Sequence, residues 1–191
     1  MSLEINLFID PLSLESYKAE QTVLKVAKKT TTKLHLNFIA INNIKTINAY
    51  DVKDQHYNIA LDTIAASFQG KKYERAFLIK MQEALLIYHQ AYSDQLVNRI
   101  VGEIGLDKEM FDEDRRSQLT IKTFKKKQQA THQFENYTVP SIIAYDTNNE
   151  KHGALIKDFN YQSLLNFLQK ATSDNNDGIH FLNDDNNFNI I

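Results

Sequence analysis

Phe8-Ile9-Asp10-Pro11-Leu12-Ser13-Leu14-Glu15-Ser16-Tyr17 and Asn136-Tyr137-Thr138-Val139-Pro140-Ser141-Ile142-Ile143 are the two stretches on which the reading of this 191-residue chain turns. In the first, the apolar run Ile5 to Ile9 reads as a strand buried on both faces and stops at Asp10-Pro11. Pro11 suits a first helical turn, Asp10 or Ser13 can cap it, and Leu14, Tyr17, Leu24 and Ala27 recur at helical spacing toward Lys28 and Lys29. In the second, a proline opens an apolar run with the period of a strand, Ser141 to Tyr145. The chain holds two prolines, where average composition would give about ten, and both fall on these stretches.

Working outward, Lys33 to Ala40 alternates Leu34, Leu36, Phe38 and Ala40 with Lys33, His35 and Asn37, which predicts a second strand. From Tyr57 the period becomes helical through Ala60, Leu61, Ile64, Ala65 and Phe68, with Gly70 placed to terminate. A helix through Phe77, Met81, Leu85, Tyr88 and Tyr92 is expected next, broken at Ser93-Asp94. Another follows through Leu96, Val97, Ile100, Val101 and Ile104, before Gly105. Asp107 can cap a turn at Met110 and Phe111, and the charged stretch from Asp112 to about His132 reads as an exposed helix. Asp146 to Glu150 reads as a turn to a strand over His152 to Phe159, and Leu164, Leu165 and Leu168 close the series as a helix. The Asn- and Asp-rich residues 172–191 are expected to be a tail rather than an element. Residues 1–57 and 135–171 then form an α/β core, with 58–134 an all-helical block inserted between the two halves of its sheet.

Composition narrows the chemistry. Hydrophobic residues make up 42% and charged residues 24%, the profile of an ordinary globular domain. Basic and acidic residues number 22 and 24, so no whole-molecule field draws the chain to nucleic acid or a membrane surface. The absence of cysteine removes disulfides, thiolate metal sites and cysteine nucleophiles together. The apolar start is too short for a signal peptide, and no apolar run reaches membrane length, so a cytoplasmic protein is expected.

The order of elements and both landmarks resemble the DsbA-type thioredoxin fold. The first stretch is similar to the F-x-D-P-x-C-P-W-C-W motif of the FrnE-like branch, with Ser13 and Ser16 where its cysteines stand. The second resembles the family's G-V-P-[ST]-F-V segment, whose cis-proline faces that helix start, with Thr138 in place of the glycine. Within the cytosolic members of the group the chain resembles the SpxH (YjbH) adaptors, which present the transcription regulator Spx to the ClpXP protease. The resemblance implies a protein partner, with Spx and the ClpXP protease as its candidates, and no cofactor. It also implies binding positions at Leu14, Glu15, Thr138, Val139 and Pro140, where backbone beside the cis-proline can pair with an extended peptide. This chain lacks those adaptors' cysteines and their His/Cys-rich amino-terminal extension, which puts zinc binding and oxidant sensing in doubt.

Serine cannot take over the work of the cysteine. A helix dipole worth about 1 kcal/mol moves a pKa by less than one unit, far too little to ionise a hydroxyl, and no histidine can be argued onto Ser13 or Ser16 from the sequence. Two readings of these serines stay open. They can be helix-start residues accepting backbone N–H groups. They can also serve an enzyme of glutathione-transferase or isomerase type, with Ser13 or Ser16 as a glutathione ligand, because kappa-class glutathione transferases share this layout and carry S-P-Y-S here; Ser13-Leu14-Glu15-Ser16 lacks the Pro and Tyr, and Glu15 adds charge beside an anionic sulfur.

The remaining features are weaker. His35, His56, His89, His132, His152 and His180 are scattered, without metal-ligand spacing. Arg115, Arg116, Lys122, Lys125, Lys126 and Lys127 form a basic stretch that reads as a solvated face or as a docking face for an acidic protein. With five glycines in all, no phosphate-binding loop is present.

Overall fold

The computed structural model describes residues 2–40, 55–131, 138–147, 149–173 and 188–190. Two compact units emerge: Met1–Ile9, Glu15–Ile39 and Tyr137–Ile191 form one, Asp10–Leu14 and Ala40–Asn136 the other.

The first unit is built on a sheet. Strand β1 (Ser2–Ile9) leads into helix α1 (Leu14–Ala27) and strand β2 (Lys33–Ala40), and the chain returns as β3 (Ser141–Asp146), β4 (Asn149–Lys157), helix α7 (Tyr161–Ser173) and β5 (Phe188–Ile190). The order across the sheet is β2-β1-β3-β4-β5. β1 and β2 run the same way, since Ser2 bonds to the Lys33 carbonyl and Asn37 to Glu4 and Asn6, and α1 is the crossover that such a pair requires. β1 with β3, β3 with β4 and β4 with β5 are antiparallel.

The register explains the burial. Leu7, Ile142 and Ile156 lie side by side on one face, followed by Ile5, Ala144 and Ala154, and all six are buried. On the other face Asn6, Ile143 and Leu155 align; Ile143 and Leu155 are buried, whereas Glu4 and Asn6 are half-buried and bonded to Asn37. The first strand is thus fully buried on one face and only partly on the other. At the next rung Tyr145 faces Gly153, and a Cβ on Gly153 would fall 2.5 Å from the tyrosine ring, so glycine is the residue that lets the ring lie flat on the strand.

The second unit is helical: α2 (Gln55–Phe68), α3 (Lys71–Gln82) continuing into a π-turn (Glu83–Ile87), α4 (Asp94–Ile104), α5 (Lys108–Arg115) and α6 (Gln118–Thr131). Its boundaries follow from local chemistry. Ser93 caps α4 by accepting the Leu96 N–H at 3.2 Å, and Gly105 ends it at φ 74°, a left-handed conformation that favours glycine. Asp107 caps α5 through the Met110 N–H at 3.0 Å. Phe77 meets Phe111 at 5.6 Å between ring centroids, and Tyr57 meets Phe124 edge-on at 5.1 Å.

Three elements differ from the sequence-based expectation. The helix expected to reach Tyr92 ends in the π-turn, and Tyr92 lies in the connection to α4. The charged stretch after Asp112 breaks at Arg116-Ser117, where Ser117 accepts the Thr120 N–H at 3.1 Å. The helix that follows is also not simply exposed: Thr120, Phe124 and Gln128 are buried at four-residue spacing, a face whose two polar members hide it from an apolar pattern. Finally, Phe188–Ile190 pair with Ala154–Ile156 as β5, where no element was expected.

Candidate functional site

The junction between β1 and α1 is shaped by Asp10. Its carboxylate accepts the Leu12 N–H at 2.8 Å and its carbonyl accepts the Ser13 N–H at 3.1 Å, a tight turn that delivers Ser13 to the position before the helix. His56, near the start of α2, places Nε2 3.4 Å from Asp10 Oδ1, with both side chains about two-fifths exposed. The contact with His56 does most to hold the Asp10 carboxyl below its ordinary value; partial burial opposes it, and the Leu12 N–H and the histidine charge add to it.

An imidazole therefore stands at the edge of the motif, which sequence reasoning did not foresee. His56 lies far along the chain from Asp10, and no spacing rule links a helix-start histidine to a strand-end aspartate. The imidazole contacts this aspartate, whose carboxylate and carbonyl hold the turn that carries Leu12 and Ser13.

Among the expected site residues, Ser16 is fully buried in the first turn of α1, Ser13 is half-buried, and Leu14 and Glu15 are exposed. Thr138 is exposed while Val139 and Pro140 are half-buried, and the peptide bond between Val139 and Pro140 is cis. Ser141 is buried, and its Oγ has no hydrogen-bond partner among the described residues. Ser13 and Leu14 belong to the helical unit, and Glu15, Ser16 and Thr138 to Pro140 belong to the sheet unit. Among the described residues no three His, Asp or Glu side chains gather as a metal ion would require, and no helix is long and apolar enough to cross a membrane.

The basic stretch is partly turned inward. Arg115 donates from Nε to Asp62 Oδ1 at 2.8 Å, from Nη2 to Asp62 Oδ2 at 3.3 Å and from Nη1 to Asp94 Oδ1 at 3.0 Å. Tyr92 donates its hydroxyl to Asp62 Oδ2 at 2.7 Å. Burial pushes the Asp62 carboxyl above its ordinary value against the pull of Arg115 and Tyr92; because all three bonds reaching it come from donors, it is held as the carboxylate. Lys127 and Lys71 likewise converge on buried Glu74, at 2.7 and 2.8 Å. Burial raises the Glu74 pKa, but the two ammonium groups outweigh it and hold the carboxyl below its ordinary value. Arg116, Lys122, Lys125 and Lys126 remain exposed.

Beside the Asp10 turn, the helical unit opens a groove of about 590 Å³. Leu12, Leu85, Leu86 and Ala91 supply its apolar lining, and Gln55, Asn58, His89, Gln90 and Tyr92 its polar one.

A crossover β1-α1-β2, a hairpin opened by a cis-proline and a closing helix, with a helical unit between the two halves, define a thioredoxin-fold protein of the DsbA type. The profile of the Thioredoxin family matches residues 6–166, and the chain belongs to that family. Among solved structures, a putative protein disulfide isomerase from Nitrosomonas europaea superposes with a TM-score of 0.72 at 8% identity, covering 88% of this chain and 97% of its own. The oxidoreductase NmDsbA1 from N. meningitidis gives 0.60 at 13% identity, over 86% of this chain and 79% of its own. At such identities the likeness is one of fold. Among curated proteins, the chain is similar to the ClpXP adapter protein SpxH of Shouchella clausii, 24% identical over 184 residues, and to that of Bacillus subtilis, 25% identical over 182. These alignments cover 81% and 79% of this chain and 61% of each relative, so the chain spans about three fifths of the curated relatives' length.

Proposed function

We propose that this chain works by binding protein, as a cytoplasmic adaptor that presents a substrate such as Spx to the ClpXP protease. The observation that carries the reading is the absence of cysteine, which fits the resemblance of the Phe8–Tyr17 stretch to the family motif with Ser13 and Ser16 where its cysteines would stand. Thiol–disulfide exchange needs a thiolate, which a chain without cysteine does not supply, and this favours recognition as its use of the fold. The similarity to SpxH adapters, carried across most of the chain, supports the same reading. Leu14, Glu15, Thr138, Val139 and Pro140 are the proposed binding positions. Leu14, Glu15 and Thr138 are exposed, and the backbone beside Pro140 would pair with an extended segment of the partner.

Calorimetric titration of the chain with purified Spx tests the reading. Saturable binding is expected, with an affinity that Ser13→Ala changes by less than about twofold, since under this reading the hydroxyl at the helix start serves the fold rather than the interface. Millimolar glutathione should leave the melting temperature unchanged. A rise in melting temperature with glutathione that Ser13→Ala abolishes would replace the adaptor by a transferase-like enzyme.

A further inference from the structure

We propose that the outward face of α6 is a docking surface for an acidic, amphipathic helix of a protein partner, whose carboxylates would pair with Lys122 and Lys126 while an apolar side chain meets Leu119. The proposal rests on the protein-binding reading above and names the chemistry of the segment that this face would take.

The face follows from helical spacing. Thr120, Phe124 and Gln128 bury one side of α6. Leu119, Lys122, Lys126 and Gln129, at i, i+3, i+7 and i+10, lie together on the opposite side, and all four are exposed. Leu119 is 59% exposed, unusual for a leucine inside a helix that buries another face. From Leu119 to Lys126 the stripe runs about 10 Å along the helix axis.

Helix stability does not account for these lysines. α6 carries four lysines and no Asp or Glu in its 14 residues, so no carboxylate one turn away within the helix can pair with them. Lys122 instead stands three and four residues before Lys125 and Lys126, spacings at which like charges repel. The helix dipole offers nothing in return, since the last turn holds no basic residue. Lys127 turns to buried Glu74 at 2.7 Å, whereas Lys122 and Lys126 are exposed. A repulsive pair kept at mid-helix on an exposed face works against the fold locally, and a partner bringing the opposite charge relieves that cost.

The exposed leucine selects among anionic partners. Leu119 gains by meeting an apolar side chain, which a phosphate backbone does not offer. Phe124, the single aromatic residue of α6, is buried and cannot stack on a base. With 24 acidic against 22 basic residues, the chain also has no overall positive field to draw nucleic acid. A helix suits the spacing, because its own carboxylates at i and i+4 stand about 6 Å apart along the axis, as Lys122 and Lys126 do.

Fluorescence anisotropy of the full chain with end-capped, rhodamine-labelled, alanine-based helical peptides tests the proposal. The probe carries two Glu four residues apart and a Leu on the same face; comparison peptides carry Gln or Lys in place of Glu, and a thymidine oligonucleotide represents nucleic acid. At about 50 mM salt the Glu peptide should bind about tenfold more tightly than the Gln peptide, and about 300 mM salt should weaken it about fivefold. Lys122→Glu combined with Lys126→Glu should weaken the Glu peptide by about tenfold and bind the Lys peptide more tightly than the wild type does. Leu119→Ala should weaken the Glu peptide about threefold through the lost apolar contact. Lys28→Glu combined with Lys29→Glu makes the same change in net charge at exposed residues of the sheet unit and should stay within about twofold. Circular dichroism melting checks that each variant is folded, and Lys122→Gln with Lys126→Gln keeps the test decisive if the reversed variant is not. No binding of the Glu peptide, equal binding of the Gln peptide, an equal loss in the Lys28 and Lys29 variant, or tighter binding of the oligonucleotide overturns the proposal. The calorimetric titration with Spx judges the adaptor reading separately. If Spx fails to bind while the peptides behave as described, the face stands and the adaptor falls; if Spx binds while the peptides fail, the adaptor stands and the face falls.

Discussion

Replacing Arg115 by Met should cost the helical unit about 3–5 kcal/mol, the loss expected when one partner of a buried ion pair is removed and the other stays. The arms of the guanidinium are unequal. Asp62 is 3% exposed and loses both of its charged donor bonds in the variant, keeping only Tyr92. Asp94 is 78% exposed, so the bond to it is screened by water and Asp94→Ala should cost less than about 1 kcal/mol. The cation also lies 5.8 Å from the Phe111 ring centre, a contact that the methionine side chain partly replaces. With a urea m-value of about 2 kcal/mol/M, the Arg115→Met midpoint should fall by roughly 1.5–2.5 M, followed by far-ultraviolet circular dichroism. Asp62→Asn in the Arg115→Met background should cost much less than in the wild type, giving a coupling of at least about 1 kcal/mol. Equal costs for Arg115→Met and Asp94→Ala, or additive losses in the double variant, would show that burial does not set the strength of this network.

Gly153→Ala should destabilise the sheet unit by about 1–3 kcal/mol, since the new methyl would sit 2.5 Å from the Tyr145 ring. A thermal melt of Gly153→Ala in the Tyr145→Ala background should recover part of the loss, and no recovery would mean the clash is not with that ring. Gly105→Ala, at φ 74°, should cost about 1–2 kcal/mol by the same melt. The acid limb of stability should involve Glu74 and Asp10. Both carboxyls titrate lower in the folded chain than their ordinary values of 4.5 and 3.8, so each contributes stability above those values that is lost as pH falls through the lowered ones. Glu74→Gln should therefore flatten the fall in melting temperature below about pH 4.5, and an unchanged acid limb would contradict the assignment.

Much of this was legible because it is local. The alternation in Lys33 to Ala40 and the apolar run after Pro140 announce strands, and Ser93, Gly105 and Asp107 mark helix ends by capping chemistry that needs only neighbours in sequence. What stayed hidden depends on partners far along the chain. Tyr92 fits a helical apolar period as well as it fits a connection, and only buried Asp62, thirty residues away, explains its place. His56 meets Asp10 through tertiary structure alone. Thr120 and Gln128 are polar residues on a buried face, so an amphipathic pattern overlooks them. The pairing of Phe188–Ile190 with β4 joins segments separated by a helix, and three residues among asparagines and aspartates carry no strand period of their own. Ser13 and Ser16 were legible as positions from their motif, whereas the turn that delivers Ser13 required the Asp10 carboxylate to be seen accepting from Leu12.

Degradation of Spx by reconstituted ClpXP, followed on gels with and without this chain, tests the central claim most directly. The account predicts faster loss of Spx with the wild-type chain and equally with Ser13→Ala, because recognition rather than chemistry at the helix start does the work. Spx loss unchanged by a folded wild-type chain, or acceleration abolished by Ser13→Ala, would contradict it.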